Sequence, residues 1–415
     1  MLLGWIACAA RPPLPPAEGA HACGELGEAP PWLSLDLEIG GGEAPPTGAG
    51  ADALRVATYN IHSGLGGDSW PIGRARATIE SNLRAIAEHL AAESRAGRPL
   101  DVVGLNEVDL GARRSAWIDE AEFLAVELGR LTGDPYTAVT AETWRRTTLG
   151  REVRFGNTVL TRHPILESSS CLLDGTSACA FAAPGADTLP ALAGASWLDH
   201  ALGETRGVVR VRIDHRGRPV DVLVTHLDAL AQSQREAQAA HLVSRFVEAG
   251  HATVLLGDLN AAPTYLTRGR RFFAEDRTHD IVTSGSLVDA RVLLASLGGA
   301  RDLDAWATFP SSAPTWPLDA VLATPDLAPR ELRRIGAGES DHLGLAAAYV
   351  WAEADERAAI VARHDRIRAR QRERVASCDL PHASATLAAT ARWLTTSSGL
   401  AALAPLSLQG ATASR

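Results

Sequence analysis

The hydrophobic residues of this chain form short apolar runs that are separated by polar residues and turns. Apolar runs of about four to eight residues with turn residues at their ends are typical of buried β-strands. The runs at 207–214 and 219–225 are joined across His215-Arg216-Gly217, which indicates a hairpin. In chain order, strands are predicted at 54–58, 102–105, 154–161, 207–214, 219–225, 253–256, 320–323 and 345–350.

A second spacing, with apolar residues three and four positions apart, predicts helices between the strands. The apolar residues from Ile79 to Leu90 follow this spacing and predict an amphipathic helix over Arg74–Ala92. Further helices are predicted at 120–131 and 235–249. Strands that alternate with helices and also run as hairpins indicate mixed sheets with helices on the outside.

The chain divides into a central domain and two terminal extensions. Residues 1–50 are rich in Pro, Gly and Ala and are interpreted as a leader followed by a flexible tether. Residues 51–350 hold the predicted strands, with residues 168–204 as a long insertion loop that is a candidate lid. Residues 351–415 are predicted to be a C-terminal helical extension, and its Arg/Glu-rich part at 352–376 to be a solvated or packing helix.

Composition and charge are those of a globular protein that does not bind nucleic acid through charge alone. Of the 415 residues, 46% are hydrophobic and 21% are charged, which is ordinary for a soluble domain. The net charge is −9, and all 40 basic residues are arginines. Because sequence-independent binding to nucleic acid requires a basic surface that releases counterions, we do not expect a processive or scavenging nuclease. A nuclease with a local arginine patch stays compatible with the sequence.

The N-terminal sequence and the cysteines bear on where the protein acts. MLLGWIACAA is apolar and ends in the small-small-Cys pattern of a bacterial lipoprotein processing site, with Cys8 as the lipid-attachment residue. We therefore favour an exported or lipid-anchored protein over a cytoplasmic one. Cys171 and Cys179 are close enough in sequence to pair, and unpaired thiols in a cytosolic protein are the alternative. No apolar run reaches about 18 residues, so no transmembrane segment is predicted.

Polar residues that follow several of the apolar runs indicate a metal site. Asn60, Glu107 and Asp341 each come just after such a run, where loops gather polar groups for chemistry. A hard cation such as Mg²⁺ takes oxygen ligands. Glu107 and Asp341 are therefore the candidate carboxylate ligands, and Asn60 is the candidate amide ligand.

A second set of polar strand-end residues is suited to moving protons and stabilising negative charge. His226 ends an apolar strand and is a candidate donor to a phosphoryl oxygen. Asp258 and Asn260 are two residues apart and are predicted to share a face, one orienting or deprotonating a water and the other supplying an amide N–H. Asp319 and His342 are a candidate carboxylate–imidazole pair, which makes a histidine more basic. Four other histidines are interpreted as structural or solvent-exposed: His62, His200, His241 and His251.

Together these segments resemble the motifs of the endonuclease/exonuclease/phosphatase superfamily, whose fold is typified by deoxyribonuclease I. The T-x-N, Q-E-V and N-x-H-L motifs of the family are similar to Thr58-Tyr59-Asn60, Asn106-Glu107-Val108 and Val224-Thr225-His226-Leu227. Its G-D-F-N, D-x-I/V-L and S-D-H motifs are similar to Gly257-Asp258-Leu259-Asn260, Asp319-Ala320-Val321-Leu322 and Ser340-Asp341-His342. The segments around Asn157 and Arg206 also resemble family motifs, G-N-x-I-L and E-x-R-G. Asn106 and Leu259 depart from the usual Gln and Phe without changing a catalytic atom.

The resemblance implies an α+β fold of four layers, in which two facing mixed β-sheets are flanked by helices and the site lies at one edge. It also implies hydrolysis of a phosphoester with Mg²⁺ or Mn²⁺. In this reading the metal is held by Asn60, Glu107 and Asp341, and the nucleophile is positioned by Asp258 and Asn260. Phosphate charge and protons are handled by His226 and by His342 with its partner Asp319, and the substrate is contacted by Asn157 and Arg206. Whether Asp258 or His342 is the base is left open.

Three functions are compatible with the sequence, and a monomer is expected in each. We favour a hydrolase of a small phosphoester, such as a phospholipid headgroup or an inositol phosphate, because the chain is acidic and has an export-like N-terminus. The alternative is a nuclease that grips nucleic acid through a basic cluster of Arg268, Arg270, Arg271 and Arg277. The third is a non-catalytic binding scaffold, which predicts the loss of some of the polar positions, and none is lost.

Overall fold

The computed structural model describes residues 49–67, 74–174, 179–182, 205–248, 250–263, 276–297 and 306–377. Several of the predictions lie outside these residues. They concern the leader and tether up to residue 48 with Cys8, the insertion loop at 183–204, the arginines Arg268, Arg270 and Arg271, and the chain after residue 377.

The described strands form two β-sheets. The first sheet has the order β12-β13-β1-β2-β4-β3 and is built from β1 (Leu54–Asn60), β2 (Val102–Leu110), β3 (Thr137–Thr148), β4 (Arg151–Thr161), β12 (Leu327–Ile335) and β13 (Gly344–Trp351). The second has the order β10-β11-β9-β8-β7-β5-β6 and is built from β5 (Ile165–Leu172), β6 (Ala180–Ala182), β7 (Gly207–His215), β8 (Arg218–His226), β9 (Thr253–Asp258), β10 (Val288–Asp289) and β11 (Asp319–Ala323).

Helices cover the outer faces of both sheets. They are α1 (Arg76–Arg95), α2 (Glu120–Thr132), α3 (Gln232–Phe246), α4 (Thr278–Val282), α5 (Ala290–Ser296) and α6 (Ala354–Ser377). Apolar stripes on α1 and α2, including Leu83 and Leu124, pack on the first sheet. The stripe of α3 with Leu242 packs on the second sheet. The order helix, sheet, sheet, helix confirms the predicted α+β fold of four layers.

The space between the sheets is filled almost entirely by β-branched and other aliphatic side chains. Val56 and Val159 of the first sheet and Val222, Val254 and Val321 of the second belong to this core and are fully buried. These residues alternate along their strands with residues that face the helices, so each strand is apolar on both faces. This explains why the sequence shows continuous apolar runs rather than strict alternation.

The two sheets approach each other closely at Gly104 of β2. A Cβ atom at this position would lie 2.8 Å from Val224 Cγ2 and 3.0 Å from Leu256 Cβ, both in the second sheet. Only a residue without a side chain allows this approach. As a result Asn106, two residues further along β2, can reach the second sheet with its side chain.

Parallel pairing brings the polar strand ends to one edge of each sheet. β1 and β2 are parallel, with Asn60 opposite Asn106. β8 and β9 are also parallel, with His226 opposite Asp258, and antiparallel β11 places Asp319 opposite the same Asp258. Polar groups that are far apart in sequence are therefore gathered by strand register alone.

The C-terminal helix α6 packs on the domain along its described side chains. Ile360 is buried with Val288, Leu293 and Ala328. Near the start of the helix, Arg357 Nη1 donates to Asp326 Oδ1 at 2.7 Å. The interpretation as a packing helix is therefore the one that fits these residues. Within the described part of the chain, every helix is too short or too polar to span a bilayer.

The structure differs from the sequence-based prediction at several edge strands. Strands β3 and β12 were not predicted, because their many arginines and threonines hide the apolar positions. The prediction of an insertion loop beginning at Ser168 is wrong for its first residues, which form the end of β5. Ser168, Ser169 and Ser170 are buried there although they are polar. Cys171, in the same strand, forms a disulfide bond with Cys179, which decides between the two alternatives for this pair.

Candidate active site

The first sheet contributes Asn60 and Glu107, and both depend on local backbone geometry. The pairing of β2 with β4 shifts register between Leu105 and Val108, so Asn106 and Glu107 lie in a β-bulge. Glu107 has a φ of 58°, in the left-handed region that non-glycine residues rarely adopt. Bulges re-aim side chains at the rims of sheets. Here the bulge turns Asn106 toward the second sheet and leaves Glu107 beside Asn60.

Asn60 joins the carboxylates of the two sheets. Its Nδ2 donates to Glu107 Oε1 at 3.0 Å and to Asp258 Oδ2 at 3.2 Å. Its Oδ1 accepts from the backbone N–H of His62 at 3.1 Å. This backbone donor fixes which end of the amide is the oxygen. The predicted metal ligand therefore turns its amide oxygen away from the carboxylates, and the structure corrects Asn60 to a hydrogen-bond clamp between Glu107 and Asp258.

The second sheet contributes His226, Asp258 and Asn260 at the ends of β8 and β9. The backbone N–H of Asn260 donates to Asp258 Oδ1 at 2.8 Å, and Asn260 has a φ of 48°. The side chain of Asn260 donates from Nδ2 to Leu227 O at 3.0 Å and lies 2.9 Å from His226 Nε2. The predicted grouping of Asp258 and Asn260 is present, but it arises from a tight turn after β9 and not from the pleat of a strand.

Asp319, Asp341 and His342 complete the group. Asp319 Oδ2 and His342 Nδ1 are 2.8 Å apart, as predicted for a carboxylate–imidazole pair. The other ring nitrogen, Nε2, lies 3.6 Å from Asp258 Oδ2. Ser340 Oγ donates to Asn60 O at 2.7 Å, and this bond fixes the segment that carries Asp341 against the end of β1. The predicted metal and catalytic residues therefore lie at one edge of the sandwich.

Asn106 and Asn157 hold the two sheets in register behind the site. Asn106 Nδ2 donates to Asn157 Oδ1 and to Thr225 O, both at 2.9 Å, and its Oδ1 accepts from Asp258 N at 2.9 Å. Asn157 Nδ2 donates to Gly207 O at 3.0 Å. Asn157 is 2% exposed and uses both ends of its amide within the protein. The predicted substrate contact by Asn157 is therefore corrected to a role in positioning.

His226 is a neutral imidazole with a defined tautomer. Burial, together with the nearby charges of Arg206 and His342, holds the pKa of His226 well below its usual range. The hydrogen bonds lead to the same conclusion. Because Asn260 Nδ2 must donate to Leu227 O, it also donates to His226 Nε2, which is then an acceptor. The proton of the ring is on Nδ1, which lies 4.0 Å from Glu107 Oε1.

His342, in contrast to His226, is protonated. Its burial would lower its pKa, but the charges of Asp319, Asp258 and Asp341 and the hydrogen bond to Asp319 outweigh burial and raise the pKa of His342 well above its usual range. His342 is therefore an imidazolium at neutral pH. It donates from Nδ1 to Asp319 and presents its Nε2–H toward Asp258.

The carboxylates of the site repel one another. Burial and the charge of Asp319 raise the pKa of Asp258 to about 6, although His342 and two hydrogen bonds oppose the rise. Burial raises the pKa of Asp341 as well, with Glu107 and Asp319 adding to the rise and His62 and His342 opposing it. Such clustering of buried carboxylates is unfavourable unless a cation joins them.

Glu107 and Asp341 fit a divalent cation. Glu107 Oε2 is buried and has no hydrogen-bond partner among the described residues, while Oε1 is held by Asn60. Asp341 lies close enough for the charge of Glu107 to raise its pKa. A buried carboxylate oxygen without a donor is costly, and hard cations such as Mg²⁺ and Mn²⁺ take carboxylate oxygens as ligands. The donor atoms present therefore suit the metal that the sequence resemblance implies.

His62 belongs to the site, although its sequence context did not indicate it. His62 Nδ1 lies 3.5 Å from Asp341 Oδ1, and the residue is 3% exposed. Both His62 and Ser63 have left-handed backbone angles, and Ser63 Oγ donates to Glu107 O at 3.1 Å. The structural alternative predicted for His62 agrees with its burial and with the 3.1 Å contact of its Nδ1 with Gly66 O, but the prediction did not place it beside a metal-ligand candidate. The sequence feature that could have indicated this is the position of His62 two residues after Asn60.

Arg206, which is predicted to contact substrate, lies near His226. It precedes β7, is 6% exposed, and its charge contributes to the low pKa of His226. Asp289 and Arg291, by contrast, form a buried ion pair at 2.6 Å that is linked to the backbone of Asp319 through Arg291 Nη1 at 2.8 Å. This pair supports the strand end that carries Asp319, and no sequence motif had singled it out.

Comparison with known proteins gives one family and several distant structures. A family model described as the endonuclease/exonuclease/phosphatase family matches residues 57–342. No curated protein sequence matches the chain. The solved structures that it resembles include the endonuclease/exonuclease/phosphatase from Beutenbergia cavernae DSM 12333, at 21% identity over 73% of this chain and 72% of that chain, with a TM-score of 0.47.

Two further solved structures carry more specific names. TDP2 from D. rerio, complexed with a single strand DNA product, is 13% identical over 72% of this chain and 99% of that chain, with a TM-score of 0.45. The mannosyl-6-phosphatase from Bacteroides thetaiotaomicron VPI-5482 is also 13% identical, over 72% of this chain and 100% of that chain, with a TM-score of 0.43. At these identities neither assigns a substrate to this chain.

Proposed function

Because the chain belongs to the endonuclease/exonuclease/phosphatase family, we propose that it is a divalent-metal-dependent hydrolase that directs a water at the phosphorus atom of a phosphoester. One observation carries the proposal. Asp258 lies between a neutral imidazole and a protonated one, 3.5 Å from His226 Nε2 and 3.6 Å from His342 Nε2. Pairs of groups whose environments drive their protonation states apart are typical of acid–base catalysis.

Glu107 and Asp341 are the proposed metal ligands. When bound, a divalent cation would polarise a phosphoryl oxygen and neutralise its charge. Asn60 keeps Glu107 oriented by donating to Oε1 and leaves Oε2 for the cation. His62 Nδ1 lies 3.5 Å from Asp341 Oδ1, and its shorter contact, at 3.1 Å, is with Gly66 O.

Asp258 is the proposed general base. Its carboxylate is fixed by two donors, the backbone N–H of Asn260 at 2.8 Å and the Asn60 amide at 3.2 Å, and His342 Nε2 faces it at 3.6 Å. A pKa of about 6 leaves it ionised at neutral pH and close to the value at which a base is most effective. Asp258 therefore takes the proton of the attacking water in our proposal, and His342, already protonated, does not.

His342, Arg206 and His226 are proposed to meet the phosphate. As charge builds on the phosphoryl oxygens, the His342 imidazolium and the Arg206 guanidinium offer positive charge, and preorganised donors of this kind lower the barrier most. Asn260 holds His226 in the tautomer that presents its Nδ1–H. Asp319 keeps His342 charged and oriented through the 2.8 Å contact.

We propose a small phosphoester as substrate, rather than nucleic acid. The net charge of −9 disfavours gripping a phosphate backbone. Of the arginine cluster suggested for a nuclease, the structure describes Arg277. This residue is exposed and directly precedes α4, and its backbone N–H donates to Glu236 Oε1 at 3.0 Å.

A substrate comparison with Mg²⁺ tests the proposal. We expect the full-length protein to hydrolyse bis-p-nitrophenyl phosphate or sphingomyelin, to stop on chelation, and to recover when Mg²⁺ or Mn²⁺ is restored. Plasmid cleavage that weakens steeply with salt would instead indicate a nuclease. Hydrolysis of none of these esters, with specific binding of one, would indicate a binding scaffold on the same fold.

The rate is expected to depend on pH with two limbs. On the acid side, the rate should decline at or below about pH 6, because Asp258 must be ionised and a bound cation can only lower the pKa of Asp258. On the alkaline side, the rate should decline at a pH above the usual pKa range of histidine, because His342 must keep its proton and the pKa of His342 is raised. We expect Asp319→Asn to move the alkaline limb to lower pH, since it removes a charge that raises the pKa of His342. A flat kcat profile over roughly pH 5 to 9 at saturating Mg²⁺ would contradict both assignments.

A further inference from the structure

Two histidines and an aspartate gather at the end of the sandwich opposite the proposed active site. Asp101 precedes β2, His163 lies in the turn between β4 and β5, and His215 ends β7. Asp101 and Glu107 are six positions apart along one extended segment, which separates them by about 20 Å. The cluster is therefore distinct from the group that contains Glu107.

The three side chains are close enough to share one cation. One nitrogen or oxygen atom from each residue lies within 4.8 Å of the others. His163 Nε2 is 2.8 Å from Asp101 Oδ1, and the rings of His163 and His215 meet edge to face with centroids 5.3 Å apart. In a zinc tetrahedron, with bonds of about 2.0–2.2 Å, neighbouring ligand atoms are about 3.3–3.6 Å apart. Small side-chain movements would convert the cluster to this geometry.

Asp101 is already held in one orientation. Its Oδ2 accepts from the backbone N–H of Arg55 at 2.7 Å, and its Oδ1 accepts from Arg162 Nη2 at 2.7 Å. Arg162 also donates to Asp134 at 2.8 Å, so its positive charge is shared between two carboxylates. Ligands oriented by such outer contacts bind metals more tightly.

His215 is a buried imidazole with an unused nitrogen. It is 1% exposed, and its Nδ1 has no hydrogen-bond partner among the described residues. Burial lowers the pKa of His215, so the ring is neutral at neutral pH and has a free lone pair. A buried polar atom without a partner is costly, and a metal ion would satisfy it.

We propose that Asp101, His163 and His215 form a second metal site, which binds a borderline divalent cation of the Zn²⁺ class. Two imidazoles and one carboxylate suit Zn²⁺, Co²⁺ or Ni²⁺, whereas Mg²⁺ and Ca²⁺ prefer all-oxygen sites. His163 binds through Nε2 with its proton moved to Nδ1, and the cation replaces the present hydrogen bond to Asp101. The three ligands line a cavity of about 360 Å³, which gives access and room for a water ligand and which Arg55, Arg162 and Arg216 also line.

The site joins segments that are distant in sequence. A cation there would tie the start of β2, the turn after β4 and the β7–β8 hairpin together at the base of the sandwich. Because a ligand that binds only the folded state stabilises it, zinc is expected to raise the melting temperature of the wild-type protein. This inference does not depend on the proposed hydrolysis.

Zinc titration of paired variants tests the site. In full-length Glu107→Gln protein, which weakens cation binding at the other centre, excess Mg²⁺ is kept present and zinc binding is followed by calorimetry. We expect His215→Asn in this background to remove one zinc equivalent, or to weaken it by at least about tenfold. His251→Asn, a change at an exposed histidine outside the cluster, should leave the titration unchanged. Equal zinc binding with and without His215 would overturn the proposal.

A measurement on the wild-type chain guards against variants that fail to fold. Crystals of the full-length protein are soaked in zinc, and an anomalous difference map is collected at the zinc edge. A peak between the Asp101 carboxylate and the two imidazoles supports the site. The absence of a peak there at saturating zinc, in crystals that diffract normally, shows that the cluster is an ion-paired network and overturns the proposal.

Discussion

Replacement of Asp258 with asparagine is expected to reduce kcat by about 10²–10⁴-fold, the range that general acid–base catalysis contributes. Asparagine has nearly the same size as aspartate but cannot accept the proton of the attacking water. The change also removes one buried negative charge next to Asp319, so we expect the folded state to keep its stability. The measurement is kcat on bis-p-nitrophenyl phosphate at saturating Mg²⁺, with the melting temperature recorded in parallel.

The matched control for this variant is Asp365→Asn on helix α6. Asp365 is exposed on the C-terminal helix and takes no part in the site. It undergoes the same chemical change and should keep the wild-type rate. If Asp258→Asn retained a rate within about tenfold of wild type, Asp258 could not be the base, and His342 would have to be reconsidered for that role.

Replacement of Glu107 with glutamine is expected to weaken productive metal binding by at least about 100-fold. Gln keeps an oxygen that can accept the 3.0 Å hydrogen bond from Asn60, so the local structure should persist. What is lost is the charge at the oxygen that has no protein donor. The measurement is the rate as a function of Mn²⁺ concentration, which should shift to a much higher half-saturation point.

The control for the metal prediction is Glu122→Gln in helix α2, where the glutamate is exposed. This variant should have the Mn²⁺ dependence of the wild type. A Glu107→Gln protein with an unchanged Mn²⁺ curve would show that Glu107 does not hold the activating ion. Because the two variants differ only in which carboxylate is neutralised, non-specific effects of charge are separated from loss of a ligand.

The motif residues could be predicted from the sequence because strand register alone gathers them. Asn60, His226, Asp258 and Asp319 lie at the ends of paired strands, and Glu107 follows the last residue pair of β1 with β2, Asn60 opposite Asn106. Such strand ends meet whenever parallel neighbours have the same register, so an ordered set of polar strand ends predicts a site without knowledge of its geometry. The strand and helix pattern predicted mixed sheets with helices on the outside, whereas the four-layer arrangement was implied by the resemblance to the family.

The roles of the two asparagines could not be predicted, because an amide has two chemically different ends. Asn60 was expected to offer oxygen to a metal, yet the His62 N–H fixes that oxygen and turns the NH₂ group toward the carboxylates. Asn157 was expected to meet substrate, yet both ends of its amide bridge the sheets. These orientations depend on backbone donors and acceptors that a side-chain motif does not show.

His62 and the edge strands were missed for different physical reasons. His62 lies in the site because the chain turns sharply after β1, with left-handed backbone angles at His62 and Ser63. Neither residue is a glycine, so the sequence did not predict these angles. In β3 and β12, arginine side chains cover apolar surface with their stems and pair with carboxylates at their ends, as Arg145 does with Glu142 at 2.8 Å. Such strands look polar in sequence although they complete a sheet.

The charge states of the two site histidines also required the structure. His226 ends an apolar run and His342 comes just before one, and neither position indicates a charge state. His226 is buried beside Arg206 and His342, which disfavours its protonation, whereas His342 is buried among three carboxylates, which favours it. Only the spatial neighbours distinguish the neutral imidazole from the charged one.

Location of Mn²⁺ by anomalous diffraction in crystals of the wild-type protein tests most directly whether the separated polar residues serve one ion. We expect a single strong peak at the sheet edge, bonded to the carboxylates of Glu107 and Asp341 and close to Asp258. A protein that hydrolyses phosphoesters with Mn²⁺ bound elsewhere, or with no Mn²⁺ between these carboxylates, would contradict the proposed centre.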